Sequence, residues 1–223
     1  MRTTERRINI FNMTEKKIGY DDAYSLKTPE DSIKLYKKWA KTYDQDFALN
    51  SNYLSPNKIC NYFNKNAKST DAPILDVGAG TGLVGECLYK TGKKKIIGID
   101  ISSEMLGQAK LKKCYSSIVE GDVTKKIPFK NDSFGAVVSA GTFTHGHVGP
   151  SAFDELLRIT KPGGLFVLSI NTKVFIKNGF KEKFMQIKNS ISVPIFNEFK
   201  VHDNNDEKFS KIKVFACIFR KNF

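Results

Sequence analysis

The spacing of apolar residues changes near residue 72, where a helical pattern gives way to short apolar runs separated by helical stretches. Five of these runs have the length and apolar content of buried strands: 73–77, 95–100, 117–120, 133–139 and 165–170. Between them, apolar residues recur at helical intervals at 83–90, after 102 and at 150–160. Because strands and helices alternate, the pattern predicts a mostly parallel sheet with helices on both faces.

Two further strands are predicted near the C-terminus, at 196–201 and 211–219, and only a polar loop separates them. Strands joined without a helix pair antiparallel, so this part predicts a hairpin at one edge of the sheet. His202 lies in the charged loop and is expected to face solvent. A helical stripe of phenylalanine and isoleucine, at 180, 184, 187 and 191, precedes the hairpin. The fold class predicted is a doubly wound α/β sheet with an antiparallel last strand.

The residue pattern in 1–70 predicts helices and no strands. Thr28, Pro29 and the acids after them are typical of a helix start, with a hydroxyl cap, a proline in the first turn and negative charge near the N-terminus. Behind this start, one helical face carries Tyr36, Trp39, Ala40 and Tyr43 and the other carries lysines. A second helix is predicted at 56–64, and residues 1–27 are expected to be mobile or loosely docked. We therefore divide the chain into a helical segment, 1–70, and one compact unit, 71–223.

Composition places the chain among ordinary globular proteins, with 40% hydrophobic and 26% charged residues. No run approaches the roughly 20 apolar residues of a membrane helix, and no secretory signal is expected. The four cysteines are widely spaced, which predicts free thiols and a cytoplasmic protein. Three histidines leave little material for a zinc site, so no metal is expected.

The net charge of +13 is compatible with nucleic acid, a membrane surface or an anionic small molecule as a partner. The lysines are spread along the whole chain rather than concentrated in one helix or tail. This spread favours a generally solvated surface over a dedicated nucleic-acid face.

A glycine-rich loop follows the first strand, in the stretch Ile-Leu-Asp-Val-Gly-Ala-Gly-Thr-Gly at 74–82. Glycines at 78, 80 and 82 allow a sharp turn and let a ligand approach the backbone, while the next helix points its amide-rich end at the same place. The dinucleotide pattern of glycines is broken at Leu83, which disfavours a nicotinamide enzyme. Together with Asp76, the glycines predict a cofactor corner of another type.

These residues resemble the class I S-adenosylmethionine-dependent methyltransferases, whose first motif is acid-x-Gly-x-Gly-x-Gly. The resemblance covers about 72–170 and includes the second motif at 98–106, Gly-Asp-Val at 121–123 and the helix-turn at 156–164. It implies a Rossmann-like sheet of seven strands, S-adenosylmethionine as the methyl donor and S-adenosylhomocysteine as a product. Asp100 would then take the ribose hydroxyls and Asp122 the adenine amino group. The cofactor-binding residues that we predict are Asp76, Gly78, Ala79, Gly80, Gly82, Asp100, Ile101, Met105, Asp122, Val123, Ala140, Trp39 and Tyr43.

The helix around Trp39 resembles the N-terminal lid of small-molecule methyltransferases. It is most similar to the methyltransferase-like group named after the Williams–Beuren region, which shares the Leu-Leu-Arg-x-Thr-Lys-Pro-Gly-Gly run. In such lids an aromatic residue and a tyrosine approach the methionine part of the cofactor. Trp39 and Tyr43 fit these positions, and a simple packing stripe is an equally open interpretation.

The loop at 139–150 faces the transferred methyl group in this family. It lacks the Asn/Asp-Pro-Pro-Tyr run, acidic metal ligands and paired cysteines, and it contains His145 and His147. Histidine titrates in the range that suits a general base, so both are candidate catalytic residues. A structural or acceptor-binding role is open for each, and no third ligand for a metal is evident.

The function predicted is methyl transfer to a small-molecule O, N or S acceptor, by in-line displacement under a helical lid. An anionic acceptor is left open. The alternatives are an RNA or protein methyltransferase and a non-catalytic protein that binds S-adenosylmethionine. We expect a monomer or homodimer and no membrane partner.

Overall fold

The computed structural model describes residues 18, 19, 22, 23, 25, 26, 28–203 and 211–223. The expectation for residues 1–27 concerns positions that lie almost entirely outside the described residues. The helices of the described part are α1 Pro29–Trp39, α2 Ser55–Asn66, α3 Leu83–Lys90, α4 Ser103–Leu111, α5 Ala152–Ile159, α6 Thr172–Lys177 and α7 Phe180–Gln186, with a π-helical segment at Asp44–Leu49. The strands are β1 Ile74–Val77, β2 Ile96–Asp100, β3 Ser117–Glu120, β4 Phe134–Phe143, β5 Thr160–Asn171, β6 Ile195–Lys200 and β7 Lys213–Arg220.

The strands form one sheet in the order β3-β2-β1-β4-β5-β7-β6. Strands β1 to β5 run parallel, whereas β7 pairs antiparallel with both β5 and β6. The predicted doubly wound, mostly parallel sheet with an antiparallel last strand is thus confirmed. The order reverses between β1 and β4, and ligands of such sheets bind at the carboxyl ends of the strands beside this switch point.

Helices cover both faces of the sheet, as the apolar strands require. One core cluster joins α2 and α3 to the sheet, with Ile59, Phe63 and Leu88 almost fully buried against it. The other joins α5 and α7, with Phe153 and Phe180 at its centre. Part of the N-terminal segment, α2, therefore packs directly onto the sheet, and the division at residue 70 stays a prediction.

The start of α1 agrees with its sequence signal. The Asp31 amide donates to Thr28 Oγ1 at 3.1 Å, and the Thr28 amide donates to Asp31 Oδ2 at 3.2 Å. Two amides at the helix start are thereby satisfied reciprocally. Trp39 is 1% exposed and Ala40 4%, while the lysines on the opposite face are exposed.

The expectation for His202 is wrong, because its side chain is 0% exposed. Residue 202 forms an isolated antiparallel bridge with Tyr53. The bridge brings its ring edge-on to Phe47, at 5.4 Å between centroids. Burial lowers the pKa of His202 to about 4. Contacts with residues far away in the chain, invisible in the local polarity of the loop, cover this histidine.

The helical stripe predicted from 180 to 191 is also shorter than expected. Helix α7 ends at Gln186, and Ile191 instead forms a bridge with Lys221. Ile187 and Ile191 are nevertheless buried, so their apolar character reflects packing and not a longer helix. Strand β4, conversely, continues to Phe143, beyond the predicted end at 139.

Among the residues described, none of the helices combines the length and hydrophobicity that crossing a bilayer requires. The same residues contain no cluster of three or more histidine, cysteine or acidic side chains that could hold a metal ion. All four cysteines are free thiols.

Candidate functional site

A large cavity opens at the carboxyl ends of β1 to β4, beside the switch point of the sheet. Its floor is the glycine loop after β1, and its roof comes from α1 and the segment that follows it. The residues that line it are Ala23, Ser32, Tyr36, Tyr43, Phe47, Tyr53, Pro56, Gly78, Ala79, Gly80, Thr81, Leu83, Val84, Ile99, Asp100, Ile101, Met105, Gly121, Asp122, Val123, Thr124, Ala140, Gly141, Thr142, Thr144, His147 and Val148.

Glycine is required in the floor at position 78. Its φ is +64°, in the left-handed region, and a Cβ there would lie 2.0 Å from Thr142 Oγ1. That hydroxyl is fixed because it donates to the Val77 carbonyl at 3.0 Å. The backbone of the loop is therefore left bare to a ligand, since no side chain fits there.

Asp100, at the end of β2, is held in one orientation by backbone amides. Gly80 N–H donates to its Oδ2 at 2.8 Å and Ser102 N–H to its Oδ1 at 2.9 Å. Burial raises the pKa of this carboxyl, although the amides counteract that effect. Each oxygen keeps a second lone pair, so two adjacent hydroxyl donors of a ligand can be accepted together.

Asp122 occupies the equivalent place after β3. Its Oδ1 accepts hydrogen bonds from Thr124 N–H at 2.9 Å and from the Thr124 hydroxyl at 2.6 Å. Burial alone raises its pKa, but these hydrogen bonds and Lys125, 3.1 Å from Oδ2, bring the pKa below its ordinary value. A fixed carboxylate therefore stands at this end of the cavity.

Asp76 lies beneath the glycine loop and does not line the cavity. It is 0% exposed, and its Oδ2 accepts a hydrogen bond from the Tyr115 hydroxyl at 2.6 Å. Burial raises the pKa of Asp76 to about 7. Tyr115 reaches this acid through a gap at Gly85, where a Cβ would stand 2.2 Å from the tyrosine ring.

The roof is aromatic, and Trp39 forms its outer layer. Tyr36, Tyr43 and Phe47 line the cavity, while Trp39 packs behind them, parallel to Tyr36 at 6.3 Å and edge-on to Tyr43 at 5.0 Å between centroids. The packing interpretation of Trp39 therefore fits its position, whereas Tyr43 lies at the wall together with Tyr36 and Phe47.

His147 lines the cavity, and its hydrogen bonds define its protonation. Nδ1 lies 2.7 Å from the His145 carbonyl, which can only accept, so Nδ1 carries a proton. Burial lowers the pKa of His147, which favours the neutral ring. Nε2 is then an acceptor, and the Tyr36 hydroxyl, 3.1 Å away, donates to it.

His145 is not part of the cavity wall. Burial lowers its pKa, and the nearby charges of Lys173 and Lys177 lower it further. Its contribution to the site is the backbone carbonyl that orients His147.

The cavity brings together most of the residues predicted from sequence: Gly78, Ala79, Gly80, Asp100, Ile101, Met105, Asp122, Val123, Ala140, Tyr43 and His147. Asp76, Gly82, Trp39 and His145 lie behind its wall, and their contact with a ligand stays a prediction. Sequence reasoning missed Tyr36, Phe47, Tyr53 and Thr144. Tyr36 belonged to the recognised aromatic stripe, and Phe47 follows Tyr43 at helical spacing; Tyr53 had no such signal.

Three comparisons relate the chain to known proteins. Residues 75–168 match the model of a family described as a methyltransferase domain. The chain is 32% identical over 153 residues to methyltransferase-like protein 27 of Homo sapiens, which covers 67% of this chain and 62% of that protein. It is 31% identical over 146 residues to a demethylmenaquinone methyltransferase of Streptomyces avermitilis, covering 64% and 61% respectively. The chain thus spans about three fifths of the length of these relatives.

A solved structure shares the fold. It is an S-adenosylmethionine-dependent methyltransferase from Thermotoga maritima, with a TM-score of 0.60 and 17% identity over 84% of this chain and 98% of the other.

Proposed function

We propose that the protein transfers a methyl group to a small molecule bound beneath the aromatic roof, on the premise that the chain contains a class I S-adenosylmethionine-dependent methyltransferase domain. The observation that carries the proposal is one continuous cavity. Asp100 and Asp122 stand at one end of it, and Tyr36 and His147 lie at the other.

The residues present fit the methyl donor of this family. The oriented carboxylate of Asp100 suits the two ribose hydroxyls, and the bare backbone at Gly78 and Gly80 suits the methionine part. Asp122 and Val123 would receive the adenine. The aromatic roof suits a sulfonium ion, because aromatic faces attract cations.

S-adenosylmethionine supplies an electrophilic methyl group, so the contribution of the chain is placement and proton transfer. Aromatic side chains of the roof line the cavity opposite the glycine loop. Asp44, at the start of the π-helical segment, ties that roof to Thr81 in the floor. His147 lines the wall as a neutral ring, and its Nε2, which accepts from the Tyr36 hydroxyl, can receive a proton through that hydroxyl.

A small acceptor is favoured over RNA or protein because the roof closes over the glycine loop. The positive charge does not oppose this choice, since lysines occur along the whole chain rather than in one helix or tail. The identity of the acceptor and the state predicted for the protein in solution, monomer or homodimer, stay predictions.

The proposal is tested in two steps. Isothermal titration with S-adenosylmethionine measures binding, with Asp100→Ala as the weakened variant. The protein is then incubated with labelled S-adenosylmethionine and a cell extract separated into small-molecule, RNA and protein fractions. Label in the small-molecule fraction supports the proposal.

Each of the other outcomes indicates a different function. Label in the RNA or protein fraction would instead indicate that the protein methylates RNA or protein. Binding without label in any fraction indicates a non-catalytic cofactor binder, and absence of binding overturns the proposal entirely.

A further inference from the structure

The two ends of the cavity differ in chemistry. The end at β2 and β3 carries the two carboxylates, Asp100 and Asp122. The end at β4 is formed by aromatic side chains of the roof and by the loop that follows β4. Under the proposed function, on which this inference rests, the first end holds the methyl donor and the second end is the acceptor site.

At the acceptor end, the donor and the acceptor of the hydrogen bond between Tyr36 and His147 can be assigned. It donates to His147 Nε2, since Nδ1 of the same ring is committed to the His145 carbonyl. A phenolic oxygen can accept as well as donate, so the Tyr36 hydroxyl, which lines the cavity, can also accept a proton from a bound molecule. A donor placed there completes a chain from the acceptor through Tyr36 to His147.

The remaining walls limit what the acceptor can be. Tyr43, Phe47 and Tyr53 offer flat apolar surfaces. Of the described residues that line the cavity, only Asp100 and Asp122 bear a carboxylate, and both follow strands of the donor end, so none of these residues would neutralise an ammonium group at the acceptor end. Thr144 Oγ1 is buried and has no hydrogen-bond partner among the residues described, which leaves it for a polar group of the ligand.

We propose that the acceptor is an aromatic hydroxyl compound, and that Tyr36 contacts its hydroxyl and passes the proton to His147. In this step a bond forms between the acceptor oxygen and the methyl carbon. The bond between that carbon and sulfur breaks, and its electron pair stays on sulfur. The acceptor proton moves to Tyr36 Oη while the Tyr36 proton moves to His147 Nε2, so the positive charge passes from sulfur to the imidazole ring.

The titratable groups that bear on His147 come from two elements. Tyr36 reaches it from α1, and His145 adjoins it in its own loop. Burial and the His145 charge both disfavour the imidazolium ion. The hydrogen bond from Nδ1–H to the His145 carbonyl opposes these two effects and stabilises the imidazolium ion that the step forms.

The first test uses matched acceptors and one oxygen deletion. Phenol and benzylamine, which is an ammonium ion at neutral pH, are compared by formation of S-adenosylhomocysteine, and phenol is expected to be the better acceptor. Tyr36→Phe is expected to lower kcat for phenol by about 100-fold while leaving affinity for S-adenosylmethionine unchanged. Tyr89→Phe, on the outer face of α3, is the control and retains full activity.

The second test separates proton transfer from a structural role. Para-nitrophenol ionises near neutral pH and needs no base, so Tyr36→Phe and His147→Gln are expected to slow its methylation far less than that of phenol. Equal losses for both acceptors would mean that Tyr36 and His147 only shape the cavity, and would overturn the inference.

A third readout does not require turnover. Nuclear magnetic resonance of nitrogen-labelled histidine is expected to show His147 as the Nδ1–H tautomer, identified by its loss in His147→Gln. Tyr36→Phe should shift its Nε2 resonance. An Nε2–H tautomer overturns the inference.

The outcomes for the inference and for the proposed function are distinct. A protein that binds S-adenosylmethionine but methylates benzylamine better than phenol, or methylates neither, contradicts the aromatic hydroxyl acceptor alone. A protein that does not bind S-adenosylmethionine contradicts the proposed function.

Discussion

The carboxylate of Asp44 accepts a hydrogen bond from the hydroxyl of Thr81, which joins the roof of the cavity to the glycine loop in its floor. The same carboxylate forms an ion pair with Lys112, directly after α4. The roof is thereby attached at one point to the loop that would hold the methyl donor. Removing this attachment should make the roof more mobile and should also weaken binding of the methyl donor.

Asp44→Ala is expected to increase hydrogen exchange at residues 44–54 and to weaken binding of S-adenosylmethionine by about 1 kcal/mol, the usual contribution of one hydrogen bond. Exchange mass spectrometry and isothermal titration check the two effects. Asp154→Ala is the matched control, because it breaks an Asp–Lys pair with Lys183 outside the cavity. If both variants behave alike, Asp44 does not hold the roof.

Asp100→Ala is expected to weaken binding of S-adenosylmethionine by about 1–3 kcal/mol, because the ribose hydroxyls and the Gly80 and Ser102 amides all lose an acceptor. Titration calorimetry measures the change. Asp132→Ala, which removes an exposed carboxylate paired with Lys221, should bind as the wild type does. An unchanged dissociation constant for Asp100→Ala would show that this residue does not hold the ribose.

The sheet and the cofactor end of the cavity were predictable because their signals are local. The alternation of strands and helices fixes the parallel sheet, and the residue that ends each strand lies at the same edge. Asp100, Asp122 and the glycine loop could therefore be placed together from sequence alone.

The acceptor end was not predictable in this way. Tyr36 and His147 are 111 residues apart, and nothing in either neighbourhood indicates that they meet. His202 is buried by its bridge to Tyr53 in the same manner. Periodicity identifies the apolar face of an element but not the element that covers it.

The glycine loop provides a paired test of space and backbone conformation. Gly78→Ala is expected to destabilise the protein by about 1–3 kcal/mol and to impair cofactor binding, because its Cβ would overlap Thr142. Gly107→Ala, in α4 with nothing within 4 Å of the new Cβ, is expected to stabilise by about 1 kcal/mol. Urea unfolding measures both, and a Gly78→Ala protein as stable as the wild type would show that the floor can rearrange.

The buried acid Asp76 predicts a pH dependence of stability with a defined sign. Its pKa rises from 3.8 in the unfolded chain to about 7 in the folded protein, because it is buried. Between these values the unfolded chain has released its proton while the folded protein retains it, so folding stability falls as pH rises. Asp76→Asn cannot ionise and keeps an oxygen for the Tyr115 hydroxyl. It should therefore equal the wild type near pH 4 and exceed it by up to about 4 kcal/mol at pH 8, since each unit of pKa shift corresponds to about 1.4 kcal/mol.

Comparing the two proteins isolates Asp76 from other ionisations. His202, with its pKa lowered to about 4, gives a dependence of opposite sign over nearly the same range, because stability is lost there as pH falls. That contribution is present in the wild type and in Asp76→Asn and cancels in their difference. Urea titrations at intervals from pH 4 to pH 8 supply the difference, and Asp132→Asn controls for loss of an exposed carboxylate. Curves for Asp76→Asn and the wild type that stay parallel across the range would mean that Asp76 is already ionised in the folded protein at acidic pH, held by a compensating charge or water beneath the glycine loop.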